Sequence, residues 1–312
     1  MHDPTRTLEE NPSEGIFVLP GGFFQNGACF REVKLVPPTG RAEELLGEAS
    51  NSFCLASAIT TLLSHCIERI GPITEITPEI VRRLLVGDRD YLVLKLRQIT
   101  IGDRVEAIIV CPNPQCGEKI DIDFDIRHTP VKQGKISSQV FTVTLPRQEV
   151  FGGNEEGNDY RVEFRLPNGA DQEELASLAV TNESAAVNKL LGRCIQGIDG
   201  IMEIDESQIE KLPLSARRKI EKTMAVLVPQ VDLEMEAKCP ECEKAFSFPF
   251  NMSQFFLDEM KVNLEQLYQE VHFLAFHYKW PESDILSMNR KKRRKYLELL
   301  SEQIERNKRG YA

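Results

Sequence analysis

Two pairs of closely spaced cysteines carry the clearest chemistry in this sequence of 312 residues. Cys111 and Cys116 enclose Pro-Asn-Pro-Gln, and Cys239 and Cys242 enclose Pro-Glu. Four thiolates arranged as a tetrahedron are a common closed ligand set for structural zinc. The two pairs are separated by 122 residues, far more than a zinc-ribbon loop. One shared site therefore requires two distant parts of the chain to face each other.

Two other states of the cysteines remain open at this point. The pairs could be reduced remnants of a lost site, or each pair could form its own disulfide. The N-terminus lacks the pattern of a signal peptide, and no uncharged apolar run reaches the length of a membrane span. We therefore expect a cytoplasmic protein, where disulfides are disfavoured. The preferred prediction is one structural zinc ion bound by Cys111, Cys116, Cys239 and Cys242.

The residues around each cysteine pair predict the elements that position it. Apolar and polar residues alternate over 105–110 and 119–125, and again over 244–250. This period of two is typical of β-hairpins with the cysteines at the turn. Upstream, the pattern predicts a short strand over 16–22 that ends in a glycine turn, and a helix over 52–70.

Other landmarks occur twice in the same order. Residues 141–146 resemble 16–20, and 160–167 resemble 31–37. Cys194 follows Cys66 by 128 residues, and the cysteine pairs are offset by 128 and 126 residues. Nearly constant offsets predict a tandem duplication.

The predicted fold is α+β. It consists of two copies of a unit with a β-hairpin, helices and a Cys-bearing β-hairpin, followed by a helical C-terminal segment. The predicted boundaries are a flexible N-terminal tail (1–14), repeat unit 1 (15–131), repeat unit 2 (132–258) and the helical C-terminal segment (259–312). Within unit 1, Gly87 is predicted to end a helix over 78–86.

The sequence lacks the common enzyme motifs, which predicts that the protein is not an enzyme. The sequence lacks a Walker-type loop, a Gly-x-Ser-x-Gly elbow, a His-Glu-x-x-His pair and a Gly-x-Gly-x-x-Gly turn. The glycine-rich loop at 152–158 is acidic and contains no lysine, so it is a poor phosphate site. A net charge of -10 also disfavours a general nucleic-acid binder.

A basic run near the C-terminus is the exception to this acidic balance. It could be a solvated helix face, a nucleic-acid patch or a surface that docks on an acidic partner. We favour docking, with an apolar side of the helix packed within the protein. The predicted partner-binding residues are Trp280, Arg290, Lys291, Lys292, Arg293, Arg294, Lys295 and Tyr296.

Three segments resemble baseplate proteins of contractile phage tails and of phage-derived contractile injection systems. They are residues 85–103, the adjoining cysteine hairpin, and residues 277–296. The likeness covers roughly 85–126 and 262–306, and the duplication departs from the simplest family members.

The resemblance implies a structural or assembly role beside other baseplate, hub or spike subunits. It implies no catalysis, and it places the protein in a phage tail-like particle or in the assembly of one in the cytoplasm. We expect no small-molecule substrate and no membrane partner, and the net charge disfavours nucleic acid as a partner. The alternative function is a zinc-ribbon adaptor that binds nucleic acid through its basic C-terminal helix.

Overall fold

The computed structural model describes residues 10–49, 54–134, 136, 138–146, 159–199, 201–202, 209, 212–261 and 264–310. The strands are β1 (Ile16–Gln25), β2 (Ala28–Leu35), β3 (Ile67–Ile70), β4 (Arg104–Val110), β5 (Lys119–Asp125), β6 (Val131–Lys132), β7 (Phe141–Leu145), β8 (Tyr160–Phe164), β9 (Ile195–Ile198), β10 (Ile201–Met202), β11 (Gln230–Val231), β12 (Glu234–Lys238) and β13 (Ala245–Pro249). The helices are α1 (Gly40–Ala49), α2 (Leu55–Cys66), α3 (Pro78–Arg83), α4 (Val86–Thr100), α5 (Gly169–Thr181), α6 (Glu183–Cys194), α7 (Leu214–Leu227), α8 (Met252–Lys261), α9 (Leu264–Tyr278), α10 (Glu282–Leu286) and α11 (Arg290–Gly310). The predicted α+β class is confirmed.

The first half forms an antiparallel sheet in the order β1-β2-β3. β1 does not end at Gly21-Gly22 as predicted but continues, through a register shift, to Gln25. The predicted helix over 52–70 also ends early, at Cys66, because residues 67–70 pair with β2 instead. Sheet pairing thus overrides the helical pattern at the end of this segment.

The second half contains a four-stranded sheet in the order β10-β9-β8-β7. In both halves a hairpin is followed by two helices, and the next strand pairs with the second strand of the hairpin. Equivalent backbone bonds join Val36 N to Cys66 O at 2.8 Å and Arg165 N to Cys194 O at 2.9 Å. The shared order of elements fits the predicted duplication, which itself stays a prediction.

Helix α4 lies at the centre of the hydrophobic core of the first half, the first core. Its Leu92, Leu94 and Leu96 side chains are buried together with charged residues of the same helix. Asp88 accepts hydrogen bonds from the backbone N–H groups of Gly21 and Gly22, at 2.7 and 3.0 Å. Burying a carboxylate requires such partners. The segment 85–103, which carries much of the family resemblance, is therefore the structural centre of this half.

Arg89 joins the two halves from the same helix. Its guanidinium donates from Nε to Gln172 Oε1 in α5 at 3.0 Å and from Nη1 to Thr60 Oγ1 in α2 at 2.9 Å. Nη2 donates to the carbonyl of Ala56 at 2.7 Å. The short strands β6 and β11 pair across the same junction. The halves therefore pack directly on each other.

Gly87 does not end a helix as predicted. Helix α3 ends at Arg83, and Gly87 lies in the first turn of α4. A Cβ atom at Gly87 would lie 1.9 Å from the carbonyl oxygen of Pro229. Glycine is needed here because the backbone that leads to β11 approaches α4 too closely for any side chain.

We expect Gly87→Ala to lower the free energy of unfolding by about 1–3 kcal/mol, because the added methyl group forces the two backbones apart. Urea unfolding followed by circular dichroism measures this change. Val226→Ala is the control: Val226 is exposed, so its replacement should change stability by less than about 0.5 kcal/mol. Equal stability of the two variants would contradict the close approach.

Several predicted boundaries can be compared with the elements that the structure has at those positions. Residues 1–9 of the predicted tail and the loop at 152–158 lie outside the described residues. Residues 12–14 form a 3-10 turn instead of a loose tail, and Asn11 pairs with Ile16. Helix α8, which begins within predicted unit 2, packs Phe256 and Leu257 into the core of the first half.

The last three helices form a separate apolar cluster that includes Leu267, Leu274 and Ile285. Across the described part of the chain, no helix combines the length and apolar character needed to cross a bilayer.

Candidate functional site

The hairpins β4–β5 and β12–β13 bring the four predicted cysteines together. Their Sγ atoms all lie within 4.8 Å of one another. Two sulfur contacts join different hairpins: Cys111 and Cys242 are 3.7 Å apart, and so are Cys116 and Cys239. The two pairs of cysteines therefore form one cluster.

The two turns position their cysteines in the same way. Cys111 N donates to Glu118 O at 2.8 Å, and Cys239 N donates to Lys244 O at 3.0 Å. The residue after the second cysteine of each pair is left-handed, with φ of 63° at Gly117 and 58° at Glu243. A left-handed residue reverses the chain within a short turn. The turns thus share a geometry although one is two residues longer.

The sulfur spacing fits a metal and not a disulfide. Zinc bound to four sulfurs at about 2.3 Å in a tetrahedron places neighbouring sulfurs about 3.8 Å apart. The observed 3.7 Å between hairpins is close to that value. A disulfide bond measures about 2.05 Å, and all four cysteines are free thiols. The donor set is therefore suited to a soft cation such as zinc.

The electrostatics of the cluster favour the same conclusion. The backbone N–H of Lys244, helped by the side chain of Asn113, lowers the pKa of the Cys242 thiol to about 6. The N–H of Glu118 favours the thiolate of Cys116, but burial and the neighbouring thiols outweigh it and raise the pKa of Cys116 to about 12. Adjacent thiolates repel one another. At neutral pH, full ionisation of the cluster therefore requires a bound cation.

Besides the thiols, the two hairpins share a small apolar cluster at their turns and a ring contact at their other ends, where the centroids of Phe124 and Phe250 lie 5.1 Å apart. Cys111, Cys239 and Ile120 are the buried residues of this apolar cluster, and Ile122 and Phe246 pack against them. Each hairpin is a two-stranded sheet of its own. A hairpin alone is marginally stable in water, and here Val105 and Phe124 of β4–β5 pack with the core of the first half. The thiol cluster is the main candidate for what joins the turn ends of the hairpins.

Arg293 does not belong to an exposed basic surface. Its side chain is 1% exposed, and it donates from Nη2 to Glu43 Oε2 at 2.8 Å and from Nε to Glu270 Oε2 at 3.1 Å. Nη1 donates to the carbonyl of Met288 at 2.8 Å. Arg293 faces inward because two buried carboxylates and a carbonyl oxygen accept hydrogen bonds from its three guanidinium nitrogens. The prediction that it binds a partner is corrected accordingly.

The other predicted partner-binding residues divide into two groups. Trp280 stacks on Tyr278 at 4.5 Å between ring centroids and meets Tyr296 edge-on at 4.9 Å. These rings are partly buried, and Arg290 is half-buried as well. The exposed cations of the run are Lys291, Lys292, Arg294 and Lys295.

The sequence reasoning missed Glu43 and Glu270, the carboxylates that receive Arg293. Glu270 lies among Leu267, Val271 and Leu274 on the buried side of α9. A charged residue at helical spacing within an apolar stripe is a signal for a buried ion pair. Glu43 gave no comparable signal, because its partner lies 250 residues away along the chain.

Comparisons with known proteins complete this description. The family model of the T4 bacteriophage base plate protein matches residues 18–305. No curated protein and no solved structure matches the chain. The family match covers most of the chain and confirms the resemblance found in segments 85–103 and 277–296. The chain therefore belongs to the T4 bacteriophage base plate protein family.

Proposed function

We propose that the protein is a structural or assembly subunit of the baseplate of a contractile tail-like particle, either a phage tail or an injection system. The family match over residues 18–305 is the observation that carries this proposal. The protein acts through contacts with other baseplate, hub or spike subunits during assembly in the cytoplasm, and not through turnover of a substrate.

Purification of the particle and of its assembly intermediates tests this function. Quantitative mass spectrometry should find the chain in a constant ratio to the other baseplate subunits in at least one of these species. Recovery of the chain only as a free monomer would contradict the proposal.

We further propose that the four cysteines bind one zinc ion as a structural site. Four protein thiolates leave no open coordination position, whereas catalytic zinc keeps one for water or substrate. The ion would join β4–β5 to β12–β13, two hairpins from opposite halves of the chain. Its role is to hold the scaffold together, and the proposal is supported by the mutual approach of the four sulfurs within 4.8 Å.

The exposed cations of α11 form the second part of the proposal. Lys291, Lys292, Arg294 and Lys295 project from a helix whose other side is anchored by Arg293. Charges of one sign on a rigid helix steer and orient an oppositely charged partner. We assign these four residues to contact with an acidic surface of a neighbouring subunit.

Charge reversal on this helix should release the protein from its particle. We expect the double variant Lys292→Glu/Lys295→Glu to lower co-sedimentation with the particle by about tenfold, because it places like charges across the contact. The control Arg218→Glu/Lys222→Glu makes the same charge change at exposed positions of α7 and should co-sediment normally. Equal recovery of the two variants would show that the basic face is solvated and contacts no partner in the particle.

The same four cations keep the nucleic-acid alternative open. A zinc-ribbon adaptor would bind DNA or RNA through α11, and its affinity would fall steeply with salt as counterions are released. A gel shift at physiological salt that is lost in Lys292→Glu/Lys295→Glu would favour the adaptor. Lack of binding would leave the baseplate contact as the role of this helix.

A further inference from the structure

An apolar groove lies where the two halves of the chain meet. Its volume is about 1060 Å³, and it runs between α2, α5, α6 and the ends of β12 and β13. Leu55, Ile59, Val187 and Phe250 are among its lining residues. The side chain of Val180 on its wall is 88% exposed. A groove of this size exceeds most small-molecule pockets, and its apolar floor suits the apolar face of a helix.

The charged residues of the groove all have the same sign. Its lining contains five carboxylates and no lysine, arginine or histidine. One of them, Asp171, is neutralised by Arg165 and Arg193 at 2.6 and 2.8 Å. The other four are Asp90, Glu183, Asp232 and Glu234. Within the described ranges, none of these four forms an ion pair with a cation of the chain.

Asp90 is the most buried of the four unpaired carboxylates. It follows Arg89 in α4, but the donors of Arg89 are used by Gln172, Thr60 and Ala56. Burial raises the pKa of Asp90 to about 6, and the charge of Arg89 only partly offsets it. A cation brought into the groove would stabilise the charged form of this carboxyl group and so offset the cost of its burial. The groove thus offers a place for positive charge beside an apolar surface.

The basic helix of a second copy does not fit this description. In α11 the apolar side is already packed within its own chain, through Tyr296, Leu297 and Leu300. Its exposed side presents Leu299 beside the cations Lys291, Lys292, Arg294 and Lys295, and a single leucine would leave most of the apolar floor of the groove uncovered. The occupant must present apolar and cationic groups together.

We infer that the groove binds an amphipathic helix of another protein subunit, with lysine or arginine residues flanking an apolar stripe. The stripe would cover the floor near Leu55 and Phe250, and the cations would pair with Asp90, Glu183 and Glu234. This is the helix-in-groove mode of recognition. The site is separate from the thiol cluster and from α11, so it adds a second interaction surface to the proposed function.

Model peptides test this inference with the full-length protein. The probe is a synthetic helical peptide of about 18 residues with leucines spaced at i, i+3, i+4 and i+7 and lysines on both flanks. One matched peptide carries glutamates in place of the lysines, and another carries serines in place of the leucines. Fluorescence anisotropy should show binding of the lysine–leucine peptide and at least about tenfold weaker binding of the others, about 1.4 kcal/mol.

Variants of the protein locate the binding. Glu183→Lys/Glu234→Lys should weaken binding of the lysine–leucine peptide by about tenfold or more. The control Glu75→Lys/Asp121→Lys makes the same charge change at exposed positions away from the groove and should bind like the wild type. Val180→Asp, at a position too exposed to affect folding, should also weaken binding. Circular dichroism verifies that each variant is folded.

Three outcomes would overturn the inference. One is no binding of the lysine–leucine peptide at about 1 mM, a level at which even weak complexes form. Another is an equal effect of the groove and control variants. The last is concentration-dependent self-association of the wild type that the groove variant abolishes, which would assign the groove to a second copy. None of these results bears on whether the chain is found in the particle, so the proposed function is tested independently.

Discussion

Removal of the proposed zinc ion from the reduced protein is expected to destabilise the two cysteine hairpins and to leave the first core intact. The turn ends of the hairpins share only a small apolar cluster, whereas Phe124 and Phe250 join their other ends, so the proposed zinc ion would supply much of the free energy that joins the turns. Structural zinc contributes about 10–16 kcal/mol in small zinc-binding peptides, which is an upper limit for this site. Hydrogen exchange with mass spectrometry measures the effect. After chelation, amides of β4, β5, β12 and β13 should lose protection, while those of α4 keep it.

Cysteine variants distinguish this effect from a general action of the chelator. Native mass measurement should find one zinc ion per chain in the wild type, and Cys239→Ser should lose it together with protection of β12 and β13. Cys29→Ser is the matched control, because Cys29 is an exposed free thiol outside the cluster. Freshly reduced protein without any bound ion would reject the zinc site and favour the view that the cysteines are remnants of a lost one.

Arg293→Ala is expected to lower the free energy of unfolding by about 3–5 kcal/mol, the usual cost of leaving buried charges without their partner. Glu43 and Glu270 are 5% and 7% exposed and both accept hydrogen bonds from this guanidinium. Burial already raises the pKa of Glu43, although the charge of Arg293 opposes the shift. Without Arg293 the two carboxylates repel each other at neutral pH. Urea unfolding at pH 7 measures the loss.

The pH dependence of this variant gives a second readout. A carboxyl group whose pKa is raised by folding destabilises the protein above its unfolded pKa of about 4.3, and the penalty grows until the pH passes the folded pKa. Lowering the pH towards 4.3 protonates Glu43 and reduces the negative charge that Arg293 compensates. The deficit of Arg293→Ala relative to the wild type should therefore shrink as the pH falls from 7.

Lys292→Ala is the matched control for Arg293→Ala. Lys292 is the preceding residue of α11 and is exposed, so its loss should change stability by less than about 0.5 kcal/mol at every pH. Equal stability of the two variants would show that Arg293 does not support the fold. It would then return to the group of cations available to a partner.

Local patterns determined much of the candidate site from the sequence alone. The alternation over 105–110 and 119–125 correctly predicted β4 and β5, because a strand with one buried face repeats every two residues whatever surrounds it. The turns at the cysteine pairs were likewise predictable, because they depend on residues that are neighbours in the sequence. The family resemblance was also readable, since segment 85–103 combines several short motifs in order.

Long-range packing decided what the local patterns left open. The helical pattern over 52–70 could not show that residues 67–70 join a sheet, because their partners belong to β2, more than thirty positions earlier in the chain. Gly87 looked like a helix end, but the backbone at Pro229 explains it. In the same way, six consecutive basic residues wrap around a helix, so one must face inward. Only the position of Glu43 and Glu270 selects Arg293 for that role.

The four cysteines show most clearly what the sequence determines and what only the tertiary structure decides. Their residue type and their spacing within each pair are properties of the sequence, and these predicted thiolate ligands at two hairpin turns. Whether the turns meet depends on the packing of the two halves through α4, α5 and the β6–β11 pair. Residue type and spacing specify which atoms can bind a metal, whereas a site exists only where the tertiary fold brings four of them within 4.8 Å.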